Sequence, residues 1–319
     1  MDALVSSLES IVKIIFVVLI GLYLRKKNYF HASFKEDMEF LIVKIALPIS
    51  VFVGIQDNLS RDLLGSLGMA VLFIACGFFI LYLLSFLAVK LFKIPVGRRG
   101  IIINTFTNDN VIFIGLPLAL AIFGDKAMPF YLAYYLVNTV STWAIGIFFI
   151  ENDTTEKKAA GSSFKWQKLL PAPVLGFLVG LIWLLIGLPL PEVVDSSFSL
   201  VGGLVTPLAL LYLGMIIADS GLSSLKIERD TIIALIARFI IAPAVIFLML
   251  KWNQHTSFAL PDLGVKVIFL MSGMPALTAM ALLVGQAKGD IKYASNVITV
   301  STLLFIILVP IYLALANMI

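Results

Sequence analysis

The chain has 319 residues, 61% of them hydrophobic and 13% charged, with a net charge of +4 and a mean hydropathy of +1.05. A soluble domain is about half apolar and a quarter charged. The composition therefore excludes a soluble enzyme or nucleic-acid-binding module and defines an all-α polytopic membrane protein, and the single Cys76 excludes a disulfide framework or a cysteine-built metal site.

At roughly 20 residues per crossing, the apolar stretches predict ten spans, near 8–24, 36–55, 66–90, 99–123, 127–150, 168–187, 196–218, 230–250, 262–285 and 291–317. The first is a span and not a signal peptide, because Asp2 and Glu9 replace a basic leader and no small-x-small cleavage site follows. Lys13, near the outer end of span one, is expected to snorkel to the headgroups. Lys44 lies deeper in span two, where an anchoring role and a role in a substrate vestibule are both open. Span four follows the basic pair Arg98-Arg99 and carries the polar run Asn104, Thr105, Thr107, Asn108, Asp109 and Asn110 ahead of Gly115-Leu116-Pro117. Asp109 sits roughly 15 Å from that pair at the helical rise. A carboxylate at that depth is a functional-site candidate by default, and a break beside it is tolerated only where it is buried in protein or lines a cavity.

Span five carries Asn138, Thr139, Ser141 and Thr142; its Tyr134-Tyr135 pair and Trp143, with Trp183 in span six, read as lipid-facing or interfacial anchors. The polar stretch 151–165 reads as a flexible loop joining two halves. Span eight contains Arg238, which at its depth is expected to pair with a carboxylate or a backbone carbonyl. Span nine carries Ser272-Gly273-Met274-Pro275, and span ten Asn296, Thr299 and Ser301. Serine and threonine in membrane helices mostly bond back to their own helix. Asn138 and Asn296 are costlier to bury and are expected to line a cavity behind the broken segments. His31 and His255 fall in loops, so no histidine is placed to carry protons within the membrane.

Lysine and arginine distribution sets the orientation. Sixteen lie in one set of alternate loops, from Arg25 to Lys292, against four (Arg61, Lys126, Lys251 and Lys266) in the other. This predicts an integral protein of the cytoplasmic (plasma) membrane, with both termini extracytoplasmic and the 151–165 loop cytoplasmic. The net positive charge follows from topology and implies no nucleic-acid partner.

Landmarks recur at a nearly constant offset: Gly21-Leu22 with Gly180-Leu181, Pro48 with Pro207, Gly54 with Gly214, and Gly115-Leu116-Pro117 with Gly273-Met274-Pro275. Five spans per half is an odd number, so the halves, 1–155 and 156–319, form an inverted repeat. Inversion brings the interruption of span four, expected around Asn110 to Pro117 with proline as breaker, and that of span nine, around Ser272 to Pro275, together as crossed broken helices, and their half-helix N-termini would favour an anion.

The run Asn110-Val111-Ile112-Phe113-Ile114-Gly115-Leu116-Pro117-Leu118 resembles the span-four signature of the auxin efflux carrier family. Gly273-Met274-Pro275-Ala276 is similar to that family's span-nine crossover, and Ala294-Ser295-Asn296-Val297 through Ser301-Thr302-Leu303-Leu304 looks like its span ten. The resemblance covers essentially the whole chain. It implies a fold shared with bile-acid, arsenite and sodium–proton-exchanger-like transporters, with spans 1, 2, 6 and 7 as scaffold and spans 3–5 and 8–10 as a mobile transport domain. It further implies an organic-anion substrate such as malate, malonate or auxin, a homodimer formed through the scaffold, and Asn110 as a crossover ligand. Asp109 lies outside the shared motif, so no member's ion coupling carries over.

These readings converge on a secondary carrier of a small organic anion, working by elevator-like alternating access, with no cofactor and no catalytic residue. The candidate substrate-binding residues are Asn108, Asp109, Asn110, Gly115, Pro117, Ser272, Gly273, Pro275, Asn138 and Asn296. Asp109, Arg238 and Lys44 form the candidate coupling or charge-pairing set; two cations around one carboxylate would leave an excess positive potential. The coupling ion, H⁺ or Na⁺, stays open, as do a cation–proton exchanger using Asp109 and a ligand sensor built on a carrier fold. An intramembrane enzyme is disfavoured, because the span interiors, away from their ends, hold no histidine and one aspartate, Asp109.

Overall fold

The computed structural model describes residues 2–60, 63–153, 170–219, 225–257, 259–316 and 318, so most of the expected 151–165 loop lies outside the described residues. The first part of the chain contains α1 (Asp2–Lys26), α2 (Ala32–Phe40), α3 (Leu47–Asn58), α4 (Leu63–Leu91), α5 (Arg99–Thr107), α6 (Leu116–Phe123), α7 (Met128–Val140) and α8 (Ile147–Glu151). The second contains α9 (Ala172–Ile186), α10 (Glu192–Gly202), α11 (Val205–Asp219), α12 (Arg229–Ile236), α13 (Ala242–Asn253), α14 (Asp262–Ser272), α15 (Met280–Gln286) and α16 (Ile291–Ala316). Six helical stretches among the described residues are long and apolar enough to cross a membrane: 33–58, 63–91, 125–151, 192–219, 229–253 and 291–316.

Among the described residues, π-helical turns occur at Leu41–Ala46, Val111–Gly115, Ser141–Gly146 and Ala237–Ile241. Three of these run directly into a helical piece whose second residue is proline: Pro48, Pro117 and Pro243. A proline has no N–H for the carbonyl one turn back and crowds it; lengthening the hydrogen-bond step relieves the clash without ending the helix. Pro117 is thus a position where a helix resumes. The break in this segment lies earlier than the sequence suggested, at residues 108–110.

Packing depends on close backbone approach, because lipid gives helices no hydrophobic reason to associate and small residues let them touch. α1 and α11 cross at Gly21 and Gly214: a Cβ on Gly21 would stand 2.9 Å from the Leu211 Cα, and one on Gly214 2.6 Å from the Leu22 nitrogen. On the other side, Gly180 of α9 packs on α3, where a Cβ would stand 3.4 Å from the Phe52 Cα.

Side-chain polar contacts sort into two sets. In one, Arg25 pairs with Asp219 at 2.6 Å, Gln56 donates to the Gly180 carbonyl at 2.8 Å, and Tyr212 donates to Glu39 at 2.8 Å, joining α1, α2–α3, α9 and α11. In the other, Arg98 reaches Glu228, Asp230 and Asp290 at 2.6, 3.1 and 3.3 Å and stacks on Tyr293, tying the α4–α5 turn to the starts of α12 and α16. Among the described residues, contacts between the sets include Phe113 on Tyr212 at 4.5 Å between ring centroids and Met128 against Gly54.

Candidate functional site

α5 stops at Thr107, and Asn108 is extended, with φ −103° and ψ 139°. Three successive short polar side chains, Asn108, Asp109 and Asn110, favour this exit because each can bond to backbone or neighbours in place of the helix ladder. α14 stops at Ser272, and the chain stays non-helical until α15 begins at Met280. The two interruptions meet. Asp109 and Ala276 form an antiparallel bridge, the only bridge among the described residues, and the Asn110 N–H donates to the Pro275 carbonyl at 2.9 Å.

Every backbone group in this crossing needs a partner, since buried N–H and C=O groups are rarely left bare. Asn138 of α7 meets the Asp109 residue from both ends: its Oδ1 accepts from the Asp109 N–H and its Nδ2 donates to the Asp109 carbonyl, each at 3.1 Å. The Ala276 N–H donates to Ser301 Oγ of α16 at 3.2 Å. The N–H of Phe113 donates to Asn110 Oδ1 at 3.3 Å, so Asn110 caps the half-helix it begins. Its Nδ2 is buried without a hydrogen-bond partner.

The Asp109 carboxylate is fully buried. Its Oδ2 accepts from Tyr134 Oη at 2.8 Å and lies 3.4 Å from Arg238 Nη2, while its Oδ1 has no partner. Arg238, also fully buried, is held by the π-helical turn before Pro243. Nη1 lies 3.5 Å from the Thr105 carbonyl and Nη2 donates to the Ser272 carbonyl. A helix C-terminus carries about half a negative charge, so one guanidinium faces two negative helix ends and a carboxylate.

Several expected site residues therefore assemble here: Asp109, Asn110, Asn138, Pro275, Arg238 and, through its carbonyl, Ser272. The Ser272 hydroxyl turns back to Phe269 at 2.6 Å. Asn108 has an internal role, accepting from Ser141 at 2.5 Å and donating to Asn104 at 2.8 Å and Tyr82 at 3.4 Å. Gly115 and Gly273 are close-approach positions: a Cβ would stand 2.9 Å from Met271 Sδ at the first and 2.9 Å from the Tyr312 ring at the second.

Three expectations are corrected. Lys44 is exposed on its π-helical turn and Asp109's ion-pair partner is Arg238, so the carboxylate is balanced one to one and the expected two-to-one positive excess is absent. Asn296 does not line the crossing; it bonds to both backbone groups of Lys226, at 2.9 and 2.7 Å, and Ser301, one and a half turns further along α16, takes the place at the break. Tyr134 and Tyr135 are buried, not interfacial. The spacing of Tyr134, Asn138 and Ser141, at four and three residues, puts one polar stripe on one helix face and was the available signal.

Broken helices whose loose ends meet beside a buried ion pair, inside an apolar helical protein, are an arrangement found in membrane transporters. The membrane transport protein family matches residues 6–313, nearly the whole chain, which belongs to it. This is the family of the auxin efflux carriers, which the motifs of spans four and nine resemble. A relative named as an uncharacterized transporter, from Methanocaldococcus jannaschii, is 25% identical over 307 residues, covering 93% of this chain and 96% of its own length.

Proposed function

We propose that the chain is a secondary carrier of a small organic anion, such as a mono- or dicarboxylate or an auxin-like acid, which binds at the crossing of the two broken helices and moves by alternating access. The observation that carries this reading is the buried, unpartnered Nδ2 of Asn110 at the crossing. A buried donor without an acceptor costs about 1–3 kcal/mol, and a carboxylate seated beside the half-helix that starts at Val111 supplies the acceptor.

Ten spans in two inverted halves accommodate the helices described above. Support comes from the packing, because Gly21 meets Leu211 and Gly180 meets Phe52, and both members of the first pair map onto the second at the offset of 159 residues that relates the halves. In this reading α1–α3 and α9–α11 form a scaffold, and α4–α8 with α12–α16 the transport domain. A cleft of about 350 Å³ lies between them, lined by Ser50, Gly54, Asp57, Asp125, Met128 and Thr206. The charge asymmetry of the loops makes this the extracytoplasmic side, with the scaffold open to pair with a second copy.

The test is current recording on a solid-supported membrane bearing the reconstituted protein, with concentration jumps of malate, malonate and indole-3-acetate. Asn110→Ala is expected to weaken apparent affinity by roughly 5- to 150-fold, the equivalent of one buried hydrogen bond at about 1–3 kcal/mol. Responses to sodium or pH jumps alone, with none to any organic anion, would replace this reading with a cation–proton exchanger.

A further inference from the structure

We propose that Arg238 is a resident cation: its guanidinium occupies the place between the C-terminal ends of α5 and α14 and the Asp109 carboxylate where a coupling metal cation would otherwise sit, so that the carrier cycle needs no bound sodium. The proposal rests on the carrier reading above for its consequence, but the site itself rests on geometry alone.

The acceptors around Arg238 are those a monovalent cation would use. They are two main-chain carbonyl oxygens, Thr105 and Ser272, each from the last turns of a helix that ends inside the protein, and one carboxylate oxygen of Asp109. Oxygen ligands of this kind, with charge from a carboxylate and dipoles from unwound backbone, suit hard cations. Two helix ends at about half a charge each, plus one carboxylate, place roughly two negative charges in a region sealed from solvent. The positive charge facing them at the crossing is Arg238, whose side chain is 0% exposed. Lys44 and Lys13, inside their spans, are exposed.

A guanidinium fits because it is planar, carries several donors in a fixed fork and is permanently charged. One nitrogen serves the Ser272 carbonyl and Asp109 together while the other faces Thr105. The donor fork thus divides among three acceptors on three chain segments, α5, the 108–110 break and α14, as a coordinated ion does. A tethered ion differs from a free one in a way that matters for mechanism. It cannot leave between half-cycles, so the charge of the crossing is the same whether the site faces in or out. The charge moved per turnover is then that of the anion itself, without a sodium ion added.

The experiment measures cation dependence of folding stability, which needs no assumption about the transported anion. Melting midpoints are recorded for the detergent-purified wild type, Arg238→Ala, Arg238→Lys and the double variant Asp109→Asn/Arg238→Ala, in choline, sodium or methylguanidinium chloride at equal ionic strength. Wild type is expected to melt at the same temperature in choline and in sodium. Arg238→Ala is expected to melt roughly 6–20 °C lower in choline and to recover at least half of that loss in sodium or methylguanidinium, by binding to the folded state only. The double variant, with its carboxylate neutralised, should show no cation-selective recovery. Arg238→Lys, which keeps the charge but reaches fewer acceptors, should fall between wild type and Arg238→Ala and respond weakly. Selective stabilisation of wild type by sodium, or saturable binding of radioactive sodium to it, would overturn the proposal without recourse to any variant. So would a monodisperse Arg238→Ala protein that no cation stabilises beyond choline. Failure to transport any organic anion would leave all of these results unchanged, which separates this inference from the carrier reading.

Discussion

Asn138→Leu removes two hydrogen bonds from one residue, and the structure says what that costs. The Asp109 N–H and carbonyl both lose their partner, at 3.1 Å each, in a segment outside any helix. Hydrogen bonds between membrane helices average only about 0.6 kcal/mol, because side chains find other partners in the unfolded membrane state. That offset does not cover two backbone groups held in a non-helical crossing away from water. At about 1–3 kcal/mol for each orphaned group, the loss is roughly 2–6 kcal/mol. Leucine fills a similar volume, so little of this is cavity. With about 2–4 °C per kcal/mol, the melting midpoint should drop by roughly 4–24 °C, read from intrinsic tryptophan fluorescence in detergent. Asn296→Leu is the comparator: that amide bonds to Lys226 near an exposed surface, where water replaces it, and its cost should stay near 1 kcal/mol or below. An Asn138→Leu protein melting within about 2 °C of wild type, or an Asn296→Leu protein falling as far, would refute the assignment of Asn138 as the partner of the broken backbone.

Two further outcomes follow from packing and charge. Gly21→Ala should destabilise more than Gly180→Ala, because the new Cβ meets the Leu211 Cα at 2.9 Å in the first and the Phe52 Cα at 3.4 Å in the second; overpacking costs about 1–3 kcal/mol, and equal melting points would show that the helices simply slide apart. Arg98→Ala should cost roughly 0.6–3 kcal/mol, three partly exposed pairs at about 0.2–1 kcal/mol each, and the difference from wild type should shrink in about 1 M salt; a penalty insensitive to salt would mean that stacking on Tyr293, not charge, holds this turn.

Composition and hydrophobic length were enough to read an all-helical protein with helices able to cross a membrane, and the breakers were enough to point to the two segments whose interruptions meet. The repeat offset pointed to the pairing of those interruptions, because Gly-x-Pro at 115–117 and 273–275 stand in the same register. Where each helix stops was less legible. Proline looked like the breaker, yet in three helices it follows a π-helical turn and the helix continues, so the break at 108–110 is set by side-chain amides competing with the ladder. The partner of Asp109 could not be read from depth alone. Lys44 and Arg238 lie at similar distances from their nearest loops, and only the packing turns one outward and the other in. The tyrosine was missed because aromatic residues in spans usually face lipid or interface, and its hydroxyl partner, Asp109, lies in the break at 108–110 of another segment.

The distribution of polar contacts bears on how such a molecule moves. A body that shifts as a unit must keep its strong, directional contacts inside itself and present contacts to its neighbour that tolerate sliding. The ion pairs of Arg25, Arg98 and Arg238, with the bonds of Tyr134, Asn138 and Tyr212, each join elements of one set. At the boundary stand the Phe113–Tyr212 rings and the Met128 side chain on Gly54. Phe113 sits three residues past Asn110, in the half-helix that Asn110 caps. A displacement of the crossing therefore shears Phe113 along Tyr212, whose hydroxyl is anchored to Glu39 in the opposite set. Ring contacts lose little on sliding by an ångström or two, whereas the buried Arg238 pair would lose several kcal/mol if broken. In the alternating-access reading proposed above, the cheaper path would be for Asp109, Asn110, Asn138, Arg238 and Ser272 to travel together, carrying an intact site past rings and small residues.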